Sequence, residues 1–413
     1  MSVKIRPKDV RTYVFIMVYI LPGSIYNISE LESLQHGLAL CRYLITIYAF
    51  VKIISSQDWK KEITSSFMAV SFFTVVLMII SSQMNGTIYL TAMLSSMTLV
   101  GFLIVNLHLF STDYKKTLEI YRNTIYVYLG LHFITLLFYR NGIVDGLTGD
   151  GRIWFLGSKN KLSLYVILSI LVTYLINARN KKRTPIYFIL LFILNMEVIL
   201  NGSSTTLLAL LIIDVYLVIG RTTLNINGKG RKTISGVFTE VTFLVIILFF
   251  TTVILQGENT SNILEYMTAF VGKDISFSGR TSIWKRAIQY VLANPLWGLG
   301  NDVVYDVWEN YHYVYSAHNE VLDFAVKYGC IALVGFVMMH IITISAALRN
   351  KNSTNCRMCL ICVASLLFSG MFEAIGAEYS TWMILLLTYY EARQSKTIYK
   401  SDRKDRNERF EQN

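Results

Sequence analysis

Residues 63–110 read ITSSFMAVSFFTVVLMIISSQMNGTIYLTAMLSSMTLVGFLIVNLHLF, a stretch without a single Asp, Glu, Lys or Arg. Two apolar runs, 63–82 and 87–110, are parted by a short polar turn at 83–86. Each is long enough to cross roughly 30 Å of hydrocarbon as a helix. In lipid every backbone N–H and C=O needs a partner within its own segment or barrel, so this stretch predicts a pair of membrane-spanning helices.

Working outward from this pair, about twelve such runs appear, at 11–28, 37–56, 63–82, 87–110, 119–139, 161–178, 185–201, 203–220, 237–255, 319–348, 356–374 and 377–393. Of the 413 residues, 54% are hydrophobic, 16% are charged and 4 are proline, a balance foreign to a soluble globular domain. The expected fold is all-α: one polytopic membrane domain over 1–395, a large external loop at 256–318, and a mobile polar tail at 396–413. No small-residue cleavage site follows Lys4, Arg6, Lys8 and Arg11, so the first apolar run is expected to stay as an anchor.

A net charge of +11 suggests nucleic acid until the basic residues are placed. About 26 of the 38 Lys and Arg fall at the N-terminus, at 60–61, 115–116, 179–183, 221–232 and 349–357, and in the tail from Arg393 to Arg409. The intervening loops at 29–36, 83–86, 202 and 375–378 hold none. By the positive-inside rule the first set is cytoplasmic, both termini lie inside, and the partner of the basic charge is the bilayer rather than nucleic acid. Cys356, Cys359 and Cys362 have a metal-like spacing but sit in an apolar run without His or carboxylate company, which points to packing, and no metal or other cofactor is expected.

Within the predicted spans Arg42, Lys52, Glu197 and Asp214 are functional candidates, because a charge in lipid is expensive; an Arg42–Asp214 pair and snorkelling of Lys52 and Glu197 are the structural readings. Two external loops carry more. The segment 140–161, RNGIVDGLTGDGRIWFLGSKNK, is rich in glycine and presents Arg140, Arg152, Lys159 and Lys161 to the outer surface. In the longer loop, 281–294 (TSIWKRAIQYVLAN) sets Ile283, Trp284, Ala287, Ile288, Val291 and Leu292 at helical spacing opposite Lys285, Arg286 and Gln289, the pattern of an amphipathic interfacial helix. Asn294-Pro295 ends that helix, and Gly298 and Gly300 allow a sharp turn. Tyr305, Trp308, Tyr311, His312, Tyr313 and Tyr315 follow, rings suited to headgroups and to sugars alike.

His318 falls where the loop re-enters the next span, and its ordinary pKa of about 6.5 suits a general base, as its place suits a helix-start hydrogen bond. Arg280 precedes the interfacial helix, where its fork fits a diphosphate as well as a surface ion pair.

Gly279-Arg280, Trp284, Asn294-Pro295, Gly298-x-Gly300, Ala317-His318-Asn319 and Gly329 together resemble the signature of the O-antigen polymerase and O-antigen ligase superfamily, over residues 278–335. The resemblance implies an inverting, metal-independent glycosyltransferase of the membrane-embedded C type. It would act at the outer face of the bacterial cytoplasmic membrane, on oligosaccharides carried by undecaprenyl diphosphate and on a growing polysaccharide acceptor, in capsule or O-antigen assembly. It assigns Arg280 to the departing diphosphate and His318 to the proton of the attacking hydroxyl. Trp284, Asn319 and Lys159 join them as substrate-binding residues, and the 140–161 loop supplies a second, substrate-binding arginine, Arg140 or Arg152, with Arg152 favoured. A chain-length regulator and a flippase are the implied partners. A ligase of the same superfamily, and a lipid-linked oligosaccharide flippase or other transporter, are the competing readings.

Overall fold

The computed structural model describes residues 7–26, 28–85, 90–145, 152–179, 185–222, 242, 280–301, 303–306, 313–314, 316–351 and 353–411. The expected span 237–255 apart from Thr242, the first part of the large loop including Phe277–Gly279, and Trp308, Tyr311, His312 and Tyr315 lie outside the described residues. The described helices are α1 (Pro7–Tyr19), α2 (Glu32–Ser55), α3 (Gln57–Ile63), α4 (Ser66–Met84), α5 (Leu90–Phe138), α6 (Leu162–Arg179), α7 (Pro185–Asn201), α8 (Ser204–Thr222), α9 (Arg280–Ala293), α10 (Glu320–Arg349), α11 (Thr354–Gly370) and α12 (Tyr379–Glu411).

Five described helices are long and apolar enough to cross a membrane: Glu32–Ser55, Ser66–Met84, Met93–Phe138, Leu162–Arg179 and Glu320–Arg349. Shorter apolar helices stand at Ile189–Asn201, Ser204–Val218 and Thr354–Gly370. The chain is a multi-pass, mostly helical membrane protein. The expected spans 87–110 and 119–139 both fall in α5, which breaks at Asp113 (φ −156°, ψ 78°); there Oδ1 of Asp113 accepts from Lys116 N at 3.1 Å and starts the second half as an N-cap does. At the other end of the chain, α12 runs through Glu411, so the segment expected as a mobile tail is helical up to that residue.

The core holds Phe67, Phe102, Tyr121 and Trp382, all fully buried. Glycines set the closest approaches: a Cβ at Gly335 would strike Thr74 where α10 crosses α4, and one at Gly101 would strike Thr46 where α5 meets α2. Outward, α2 shows Leu40, Leu44, Ile47, Val51 and Ile54, and α10 shows Val334, Val337 and Ile341, an apolar surface suited to lipid tails.

Two expectations change. Asp214 accepts from Asn195 Nδ2 at 2.9 Å, while Arg42 donates Nε to Val18 O at 2.9 Å and lies over Tyr379, so these two satisfy themselves separately rather than as a pair. The apolar face of α9 turns onto protein instead of the bilayer. Trp284 and Ala287 are buried with Ala317, Leu322, Val326, Ala364, Met371 and Phe372, whereas Leu292 is exposed. Helical spacing shows which face is buried, and here α10 and α11 supply the apolar surface that covers it.

One end of the bundle is built around a break in α10. Gly329 (φ 77°, ψ 170°) frees carbonyls of the preceding turn, and the 294–300 segment takes them up: Leu299 N donates to Val326 O at 2.7 Å and Gly300 N to Lys327 O at 2.9 Å. Cys330 N answers by donating to Pro295 O at 2.8 Å. Gly298 and Gly300 carry φ of 67° and 89°, backbone that glycine adopts without strain. At the same end β1 (Val144–Asp145), β2 (Arg152–Trp154) and β3 (Gly157–Ser158) form an antiparallel sheet, with β4 (Tyr305–Asp306) and β5 (Tyr313–Val314) as a separate hairpin.

Candidate active site

Three of the expected site residues are fixed by the way α10 begins. Asn319 is its N-cap: Oδ1 accepts from Leu322 N at 3.0 Å and Nδ2 donates to Met371 O at 3.2 Å, which ties the helix start to the α11–α12 connection. Ala317 is held through both backbone groups, its N–H donating to Asp323 Oδ1 at 2.8 Å and its carbonyl accepting from Trp284 Nε1 at 3.0 Å. His318 follows with φ 46°, the one positive φ outside glycine among the described residues. Left-handed backbone at such a residue costs on the order of 1 kcal/mol and persists only where its neighbours fix it.

Glu373, from the α11–α12 connection, gathers the rest. Its Oε1 accepts from Arg280 Nη2 at 2.9 Å, and the Asn160 amide donates to the same oxygen. Oε2 stands 3.4 Å from Nδ1 of His318. The side chains of Arg280 and Glu373 are 12% and 11% exposed, while that of His318 is 37% exposed, so the imidazole is the open member of a buried charge cluster. Burial pushes the Glu373 carboxyl up, but the hydrogen bond and charge of His318, the charge of Arg280 and the Asn160 amide outweigh it, and the group is held below the usual carboxylate range. Burial pushes the Arg280 guanidinium down, with Glu373 opposing.

This arrangement is one that can orient an acid–base group. A carboxylate on Nδ1 sets the imidazole tautomer, directs Nε2 away from the pair, and stabilises the imidazolium once a proton arrives. Arg280 spends one of its five N–H donors on the Glu373 bond described above and keeps a planar fork for anionic oxygens.

The end of the 140–161 segment also enters the cluster. Lys161 Nζ pairs with Glu378 Oε1 at 2.6 Å, one residue after the Asn160 bond to Glu373, and Lys159 O accepts from Asn201 Nδ2 at 2.6 Å. Arg140 and Arg152 are exposed, Arg152 pairing with Asp145 in the β1–β2 ladder. Among the described residues no hydrogen bond or ion pair joins the side chains of Arg140, Arg152 or Lys159 to Glu373. Among the same residues no group of three or more His, Cys, Asp or Glu side chains stands close enough to hold a metal ion.

Sequence reading missed Glu373 and Asn160. Glu373 was absorbed into the apolar run 356–374, although it is the sole charged residue between Arg357 and Glu378, which is itself a signal. No curated protein matches the chain. Residues 186–337 match the family model described as O-antigen ligase, a region that runs from α7 past Arg280 and His318 to beyond the Gly329 break, and over it the chain is similar to the O-antigen ligase and polymerase superfamily.

Proposed function

We propose that the chain is a polysaccharide polymerase that joins undecaprenyl-diphosphate-linked oligosaccharide repeat units at the outer face of a bacterial cytoplasmic membrane, in capsule or O-antigen assembly. The observation that carries this reading is the convergence of Arg280, from the start of α9, and His318, from the turn before α10, on the one carboxylate of Glu373. In the proposed step the acceptor hydroxyl oxygen attacks the anomeric carbon from the face opposite the diphosphate. The bond from that carbon to the diphosphate oxygen breaks and its electron pair leaves with the lipid diphosphate. The hydroxyl proton passes to Nε2 of His318, and Glu373 stabilises the imidazolium. Arg280 supports the charge gathering on the diphosphate. Arg140, Arg152 and Lys159 bind the substrate at the entrance.

About twelve spans in a membrane-embedded type C arrangement, with both termini cytoplasmic, put this cluster on the outer side. There the activated sugar is lipid-linked, and a flippase and a chain-length regulator are the partners. The description of the matched family favours one second reading, a ligase that moves finished glycan onto another acceptor. The test is a deletion strain complemented with wild type, His318→Ala or Arg280→Ala, with protein level in the membrane checked. Loss of long polymer while single repeat units accumulate on lipid supports the polymerase. Long polymer retained on lipid but absent from its final acceptor supports the ligase, and wild-type glycan with both variants overturns the site.

A further inference from the structure

We propose that Asn160 is a positioning residue of the transfer reaction: by donating to Oε1 of Glu373 it leaves Oε2 to face His318. The proposal rests on the reading of His318 as the base.

The proton directions around Asn160 follow from the charge on Glu373. An ionised carboxylate only accepts, so Asn160 must present its NH₂ group to it. Oδ1 is thereby turned to Ser203, which donates at 2.7 Å, and the Ser203 oxygen in turn accepts from Thr206 N at 3.2 Å as the cap of α8. The Asn160 backbone is fixed as well, its carbonyl accepting from Ser163 N at 3.3 Å and Ser163 Oγ at 2.9 Å where α6 starts. The starts of α6 and α8 therefore hold the amide in place from behind, with nothing in this chain of bonds left to rotate freely.

Among the described residues, the charged groups bearing on Glu373 are Arg280 from α9 and His318 from the turn before α10. Lys161 is engaged with Glu378 further along the same connection, and Glu320 packs beneath it against Gly370 and Gly376. Arg280 already donates to Oε1, and Asn160 is the second donor on that oxygen, the neutral one. Removing the donor makes Glu373 easier to protonate, and a protonated Glu373 no longer supports an imidazolium. Placing a carboxylate there raises the proton affinity of Glu373 and His318 alike. Both effects move the acid side of the activity profile to higher pH.

The test measures polymer formation from the endogenous lipid-linked oligosaccharide pool in isolated membranes, from about pH 5 to about pH 9, for wild type, Asn160→Ala, Asn160→Asp and Ser203→Ala. The acid limb is expected about one pH unit higher in Asn160→Asp, a tenfold lower rate at a given acid pH, with smaller shifts in the other two and a plateau within a few-fold of wild type. A wild-type acid limb in every variant that folds, including one with a uniformly lower rate, overturns the proposal. Acid unfolding of the purified full-length protein is the second measurement and needs no turnover. Its midpoint moves to higher pH in Asn160→Ala if Asn160 acts on Glu373, and an unmoved midpoint overturns the proposal even where the polymerase reading has failed by itself.

Discussion

Gly329 and Leu296 are in backbone contact: a Cβ at position 329 would fall inside the van der Waals radius of the Leu296 carbonyl, and close to Trp297 N at 2.7 Å. The φ of 77° with ψ of 170° lies in a region open to glycine alone. Gly329→Ala is therefore expected to cost at least about 3 kcal/mol and to lower the protein recovered in the membrane. Gly37→Ala and Gly130→Ala, whose new Cβ would meet nothing within 4 Å, are the controls expected to leave it unchanged or slightly raised. Equal recovery of all three variants, measured by immunoblot and thermal unfolding in detergent, would show that the break in α10 is dispensable.

Glu373→Gln keeps the shape of the side chain and removes its charge, stranding the Arg280 guanidinium in a site where it is 12% exposed. Removing one partner of a buried pair typically costs about 3–5 kcal/mol. The single variant is expected to unfold at lower temperature. The double variant Arg280→Gln/Glu373→Gln should recover part of that loss while making no polymer. If the single variant melts like wild type, the cluster is not the buried ion pair described above.

Glu373 also sets an acid limit on stability. Its carboxyl is held below the ordinary value of 4.5, so it binds fewer protons in the folded state than in the unfolded one. Its contribution is complete above the unfolded value and is lost as pH falls through the folded one. The gap in melting temperature between wild type and Glu373→Gln is expected to be full near neutrality and to close as pH falls below the ordinary 4.5 and through the lowered folded value. A gap that stays constant down to acid unfolding contradicts an ionised Glu373.

The helices were legible because lipid demands long apolar runs, and α2, α4, α6, α7, α8, α10 and α11 fall where such runs lie, with α2, α4, α6 and α10 long and apolar enough to cross a membrane. The site was legible only in part. Arg280, Trp284, His318 and Asn319 stood out because they lie in a polar loop between apolar runs, where each is conspicuous. Glu373 did not, being one carboxylate at the edge of an apolar run whose neighbours hid it. Arg152, favoured as a second arginine alongside Arg280, stands in the strand register opposite Asp145, with no bond to the Glu373 cluster among the described residues. The partner of α9 was also beyond a pattern of spacing, since that pattern gives a buried face without saying what buries it.

Trp284 separates packing from positioning. Its ring fills the small cluster with Ala287, Leu322, Val326 and Phe372, while Nε1 holds the Ala317 carbonyl that precedes the strained His318 backbone. Trp284→Phe retains most of the ring and removes the donor. The net loss of one hydrogen bond is about 1 kcal/mol of stability, a small change in melting temperature for a chain of 413 residues. The effect on polymer formation is expected to be larger, about tenfold, because each 1.4 kcal/mol of misplacement felt in the transition state is a factor of ten in rate. Trp284→Ala, which empties the cluster as well, should instead fail by instability, at a cost of about 3–5 kcal/mol. Polymer assays normalised to folded protein distinguish the two: a Phe variant with the wild-type rate would show that the 316–319 turn holds His318 in place without Trp284.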